Sequence, residues 1–188
     1  AGAAVFLLVY IRFMGYAGDR VTAWRHPELD PGDTGYQILQ SLYAIGSGGF
    51  FGLGPGKSRQ KYLYLPFQYN DYIFAVICEE FGIVFGIAVI ALYLVFIIRG
   101  ALIALNARSR YLMLIAFGCT VLITLQSFII IAGVIKLIPL TGITMPFVSY
   151  GGSSMIACMM LLGILEGVSI QNGEMLQDAM YEAGEENA

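Results

Sequence analysis

The residues able to do chemistry gather between Gly32 and Glu80. Asp71 stands at the threshold of a long apolar segment, Tyr72 to Ile98. It falls at the first turn of a helix, where the helix dipole stabilises a carboxylate. There it can act as an N-cap, or as a functional carboxylate at a water–lipid boundary. Glu79 follows about 12 Å further along a helix rising about 1.5 Å per residue, which is close to mid-membrane if the helix stands upright. A glycosidase-type carboxylate pair needs about 5–9.5 Å, so Asp71 and Glu79 do not form one. Around the helix Glu79 is offset from Asp71 by about 80° and Glu80 by about 180°. Charged groups at that depth usually face a bundle interior or a polar cavity. Glu79 and Glu80 are therefore read as structural intramembrane polar residues, as is Gln126 in the second span, with one inter-helix hydrogen bond expected there.

Lys57, Arg59 and Lys61 alternate and would project from one face of an extended segment. The glycines at 52, 54 and 56 just before them let a backbone approach a ligand closely. Such a face suits a phosphate or pyrophosphate, or anionic lipid headgroups. The run Gly52-Leu53-Gly54-Pro55-Gly56-Lys57-Ser58 is one residue short of a P-loop and no strand precedes it, so nucleotide binding is rejected. The single histidine, His26, has neither a nucleophile-elbow motif nor zinc spacing to accompany it, and no metal ligand is assigned. Cys78, Cys119 and Cys158 all lie in apolar runs without CxxC spacing and read as buried free thiols. Ser149, Gly151, Gly152 and Ser153 lead into the third span, where small residues permit close helix packing and hydroxyls can line a ligand site.

The elements that must position these groups are mostly built for lipid. The 188 residues are 58% hydrophobic and only 12% charged, with a mean hydropathy of +0.75. A water-soluble domain usually carries about 25% charged residues, so the fold class is an all-α polytopic membrane protein. A net charge of −3 gives no support to a nucleic-acid partner. Residues 1–14 are apolar but too short to cross about 30 Å of hydrocarbon, and read as the end of a helix that begins upstream. Residues 15–70 form a large polar, glycine-rich loop. Tyr36 to Ile45 in this loop has helical apolar spacing, with Asp33 or Thr34 as N-cap and Gly46, Gly48 and Gly49 as terminators, and predicts a short amphipathic helix at the membrane surface. Residues 71–170 hold three transmembrane helices: Tyr72–Ile98, Tyr111–Ile135 and Gly151–Ser169. The linker Lys136–Tyr150 is expected to be partly re-entrant, and 171–188 is an acidic tail, solvated and partly disordered. Charge leaves orientation open. Arg99, Arg108 and Arg110 favour a cytoplasmic loop between the first two spans, against Arg12, Arg20, Arg25, Lys57, Arg59 and Lys61 on the other side.

Together these stretches resemble the SEDS family of bacterial cell-wall synthesis, the FtsW, RodA and SpoVE proteins. The resemblance rests on Asp30-Pro31, Gly35-Tyr36-Gln37, Gln40-Ser41, Ala44 to Gly49, Gly52-Leu53-Gly54, Gln60-Lys61, Leu65-Pro66, Asn70 to Ala75, Glu79-Glu80, Leu140-Thr141-Gly142, Pro146 and Ser149 to Ser154. The Gly56 to Tyr62 run looks most like the FtsW/SpoVE branch. The resemblance implies a ten-span enzyme of the bacterial plasma membrane, of which this chain is the C-terminal portion. It implies a glycosyltransferase that polymerises lipid II, works with a class B penicillin-binding transpeptidase, and sits among membrane lipids. By motif position Asp71 is the family's essential aspartate, and the large loop is extracytoplasmic. As general base Asp71 would activate a sugar hydroxyl. Lys57, Arg59 and Lys61, with or without a divalent cation such as Mg or Mn, would stabilise the departing pyrophosphate. Phe67 stands where the family commonly has a glutamate, and Tyr69 replaces a small or polar residue, so a second carboxylate role is in doubt. A lipid II transporter (flippase) relying on Glu79 and Glu80, or a scaffold recruiting the transpeptidase, are the competing readings.

Overall fold

The computed structural model describes residues 18, 20–29, 34–58, 70–107 and 109–185. Residues 1–14, Asp33, Arg59, Lys61, Phe67, Tyr69 and Arg108 lie outside the described residues, so the expectations placed on them stay as they were. Every regular element among the described residues is helical: α1 (20–25), a 3-10 turn at Pro27–Leu29, α2 (Thr34–Gly48), α3 (Ile73–Leu105), α4 (Arg110–Val134) and α5 (Gly152–Glu185). Among the described residues, three stretches are long and apolar enough to cross a membrane: Ile73–Leu105, Arg110–Val134 and Gly152–Glu174. Two compact units divide the chain. The first holds Ala1–Ile87 and Ile129–Met145, the second Ala88–Phe128 and Pro146–Ala188.

In the first unit the amphipathic α2 forms as its spacing predicts, and its stripe is buried. Ile38, Ser41, Ala44 and Gly48 are buried at three- to four-residue intervals. Ser41 Oγ donates to the carbonyls of Ile38 and, across the unit, Val134, at 2.8 and 3.3 Å. At Gly48 an added Cβ would collide with the Cys78 carbonyl and the Glu79 backbone. The stripe therefore packs on protein. Gly46 does not end the helix. Gly49 does, with φ +56.

α3 is not one uninterrupted span. Gly82 has φ 85 and ψ 171, a break inside the helix. A break orphans carbonyls on one side and amides on the other. Here the turn that follows α2 satisfies them. Leu53 N donates to Glu79 O (2.9 Å) and Gly54 N to Glu80 O (3.0 Å), while Ile83 N and Val84 N donate to Gly49 O (3.0 Å) and Phe50 O (3.5 Å). A Cβ on Gly52 would strike the Glu80 carbonyl and the Gly82 amide, and one on Gly82 would strike Phe50 O and Gly52 N. Glycines 52 and 82 thus let two backbones lie directly against each other.

The break redistributes the span. Residues 72, 74–76 and 78–80 are buried, whereas the exposed large apolar side chains of α3 begin at Phe81 and continue to Leu105. Residues 83–105 alone reach about 34 Å at about 1.5 Å per residue, enough for hydrocarbon about 30 Å thick. Glu79 and Glu80 consequently belong to a protein-enclosed segment ahead of the lipid-facing one.

In the second unit, α3 runs past the expected end at Ile98 because the sequence after Arg99 stays apolar. Ala104 joins Ala116, Leu165 and Val168 in a small core. Gly100 lets α3 and α4 approach so closely that a Cβ would overlap the Thr120 side chain. Tyr93 Oη donates to the Pro146 carbonyl at 2.5 Å. α5 extends past Ser169 to Glu185, so the helix continues into the acidic tail. Asn172 anchors it, buried, with Nδ2 donating to the Ile103 carbonyl at 3.1 Å.

Candidate active site

The first residue to offer its carbonyl to α3 is Tyr72, which accepts from Ala75 N (2.9 Å) and Val76 N (3.2 Å). The cap position thus falls on buried Tyr72, and Asp71 stands in the turn ahead of it, half-buried. Burial pushes the Asp71 carboxyl up from its ordinary value, and the positive charge of Arg20 works against that rise.

Arg20 arrives from α1. Its Nη1 donates to the Leu140 carbonyl at 2.5 Å. Gly142, in the linker after α4, has φ +71. A Cβ there would lie 3.5 Å from both Arg20 Nη1 and Nη2 and 3.8 Å from Asp71 Oδ2. One point on the linker backbone therefore borders both the guanidinium and the carboxylate. One helical turn after Arg20, Trp24 Nε1 donates to the Lys136 carbonyl at 3.0 Å. That carbonyl is fixed by the way α4 ends. Leu137 N bonds to Ala132 O (2.8 Å) and Lys136 N to Gly133 O (3.1 Å), the paired bonds of a Schellman cap, with Lys136 at φ 62 where glycine is usual. Arg20 and Trp24, spaced i and i+4 on α1, clip this helix to the linker at two points.

The other candidates are placed as follows. Lys57 is exposed at the end of a turn in which its N–H donates to Gly54 O (3.1 Å), with Pro55 and Gly56 (φ +74) at the positions that define type II. Ser58 points the other way, buried, and its hydroxyl is hydrogen-bonded to the Glu79 carboxylate. The glycines of this stretch were expected to bring backbone near a ligand. At Gly52 the close neighbour is instead the broken backbone of α3. Glu79 and Glu80 are buried, and Gln126 is half-buried on α4. Ser149, Gly151, Gly152 and Ser153 belong to the second unit. Ser149 is buried, the Gly151 carbonyl accepts from Met155 N at 2.8 Å as the cap of α5, and Gly152 and Ser153 are exposed in its first turn. His26 pairs with Glu28 at the surface, Nδ1 to Oε1 3.5 Å. The Glu28 carboxyl is lowered, first by a backbone hydrogen bond and then by His26.

Among the described residues no group of three His, Cys, Asp or Glu could hold a metal. A divalent cation fits the Asp71 surroundings poorly, since the guanidinium that acts on this carboxylate would repel it. What the arrangement can do is simpler. A half-buried carboxylate of raised pKa is a stronger base than a solvated one, and the adjacent cation keeps it ionised. Sequence reasoning counted Arg20 only among the basic residues of the loop, and quoted Gly142 only within a motif. No local signal singles Arg20 out, because its partners Leu140 and Gly142 lie far along the chain.

The family model described as cell cycle protein, FtsW/RodA/SpoVE, matches residues 1–174. The chain belongs to the FtsW/RodA/SpoVE family. Its FtsW/SpoVE character agrees with its relatives. It is 42% identical over 181 residues to stage V sporulation protein E of Bacillus subtilis, covering 90% of this chain and 50% of that protein. It is 48% identical over 138 residues to the probable peptidoglycan glycosyltransferase FtsW of B. subtilis, covering 73% and 34%. The FtsW of Geobacter metallireducens is 38% identical over 164 residues, covering 87% and 44%. A solved chain from a peptidoglycan synthase complex, described as coordinating polymerization and crosslinking, superimposes with a TM-score of 0.66 at 25% identity, covering 90% of this chain and 47% of that one. The chain thus spans about half the length or less of these FtsW/RodA/SpoVE relatives. Family membership and the three apolar helices make it a multi-pass protein of a bacterial membrane.

Proposed function

We propose that this chain contributes the catalytic carboxylate of a peptidoglycan glycosyltransferase that polymerises lipid II, with Asp71 as general base. The observation that carries the reading is the half-buried Asp71, raised in pKa, set beside Arg20 at the entrance to an apolar helix. The names of the FtsW relatives support the reaction class. In the step, a sugar hydroxyl of one lipid-linked disaccharide attacks the anomeric carbon of another. The new C–O bond forms as the bond to the polyprenyl pyrophosphate breaks, the hydroxyl proton passes to Asp71, and the bonding pair leaves with the pyrophosphate. The large loop faces outward in this reading, where the sugars lie, and the lipid tail stays in the hydrocarbon. Lys57, with Arg59 and Lys61, offers positive charge to the leaving group. A class B penicillin-binding transpeptidase is the expected partner, and the solved synthase complex supports that pairing.

The transport alternative drew on Glu79 and Glu80 as a polar path through the membrane. The Ser58 hydrogen bond to Glu79, and the carbonyls of both glutamates taken up by Leu53 and Gly54, favour a packing role for them. The test is Asp71→Asn in the full-length protein with its transpeptidase, supplied with purified lipid II. Glycan strands are expected to disappear while membrane insertion is retained. Polymer at the wild-type rate would overturn the proposal, and movement of labelled lipid II across liposomes without polymer would favour transport.

A further inference from the structure

Arg20 is separated from Leu140 by 120 residues, yet its guanidinium is tied to that carbonyl and borders the same point of Gly142 as Asp71 Oδ2. We infer that Arg20 is the positioning residue of this site: anchored on the Leu140 carbonyl, its guanidinium fixes the place and the charge of the Asp71 carboxylate across the gap that Gly142 leaves open. The inference rests on the reading of Asp71 as general base and adds to it the residue that controls that base.

Three observations converge on it. The guanidinium has a fixed orientation, because Nη1 is held by a main-chain carbonyl while both Nη1 and Nη2 face Gly142. A planar fork can meet an acceptor and a neighbouring carboxylate at once, which an ammonium on a flexible stem does poorly. The helix carrying Arg20 is itself held, one turn on, by Trp24 on the Lys136 carbonyl. Finally, Arg20 is the charged group that acts on Asp71 among the described residues. From the linker, the Leu140 carbonyl and Gly142, both uncharged, border the pair.

Removing the charge leaves burial unopposed, so Asp71 ionises at higher pH. The acid limb of the rate profile should follow it. The experiment measures polymerisation of purified lipid II against pH by the full-length protein with its transpeptidase, alongside thermal unfolding, for R20Q, R20K, W24F and D71N. R20Q is expected to move the acid limb to higher pH. R20K keeps a positive charge, so it should hold the limb in place while kcat falls several-fold and KM changes little. W24F loses only the second clip. It should lower the melting temperature without moving the limb. The inference is overturned if R20Q keeps the wild-type limb, or if W24F moves it as far as R20Q does, because loosened packing would then explain the effect. If R20Q does not fold, R20K decides: full activity, or a displaced limb, overturns the inference. Polymer formation by D71N would instead overturn the general-base reading beneath it, and the two failures are read from different variants.

Discussion

Replacing Gly82 with alanine separates two pictures of α3 by the sign of the effect. In an unbroken helix, alanine is better than glycine by about 0.8–1 kcal/mol, and the variant would be more stable. In the structure Gly82 has φ 85 and ψ 171, a region nearly closed to residues with a Cβ. Holding alanine there costs about 1–3 kcal/mol. The methyl group would also overlap Phe50 O and Gly52 N, both main-chain atoms that cannot rotate aside. The loop must retreat and weaken the bonds from Leu53, Gly54 and Ile83, now 2.9–3.0 Å long. At about 0.5–1.5 kcal/mol each, these bring the total to roughly 2.5–7.5 kcal/mol. At about 2–4 °C per kcal/mol the melting temperature should fall by at least about 5 °C. Thermal unfolding of the full-length protein in detergent measures this, and hydrogen exchange at Leu53, Gly54, Ile83 and Val84 should show lost protection. An unchanged or raised melting temperature with those amides still protected would refute the broken helix and the clasp built on it.

Three further outcomes are expected. Ser58→Ala removes a hydroxyl partner from the buried Glu79 carboxylate and should destabilise the protein by about 1–3 kcal/mol in denaturant titration. Lys136→Gly relieves the left-handed conformation at the end of α4 and should stabilise by about 1 kcal/mol, provided the carbonyl that receives Trp24 stays in place. Asp71→Asn should raise the melting temperature at neutral pH while it abolishes polymer. The folded-state pKa of Asp71 lies above its unfolded value, so ionisation costs stability as pH rises through that window, and the neutral amide escapes the cost.

The three apolar stretches were legible because length and hydropathy alone decide whether a helix can cross a bilayer. α2 was legible from its spacing, and Asp71 from its place at a polar–apolar boundary. The break at Gly82 was not. It lies inside a run apolar on both sides, and a lone glycine is common in membrane helices. Only the arrival of Gly49–Gly54 against Cys78–Gly82, set by tertiary structure, distinguishes it. The same limit hid the end of α3. Arg99 looked like a boundary because it is charged, yet Ala104 beyond it is buried and keeps the helix going. Arg20 escaped notice for a related reason. Its role comes from Leu140 and Gly142, far away in the chain, and no local pattern marks it apart from Arg25.

The reach of the Arg20 contact has a consequence for how the molecule is made. Arg20 and Asp71 leave the ribosome well before the Leu140 carbonyl and Gly142 that complete their surroundings. Between Asp71 and Gly142, synthesis at 5–20 residues per second takes roughly 4–14 s. During that interval α3 and α4 must enter the membrane and α4 must turn back through its Lys136 cap. The carboxylate is therefore without its final setting while α3 and α4 insert, and the site comes into being only when the linker after α4 has returned to it.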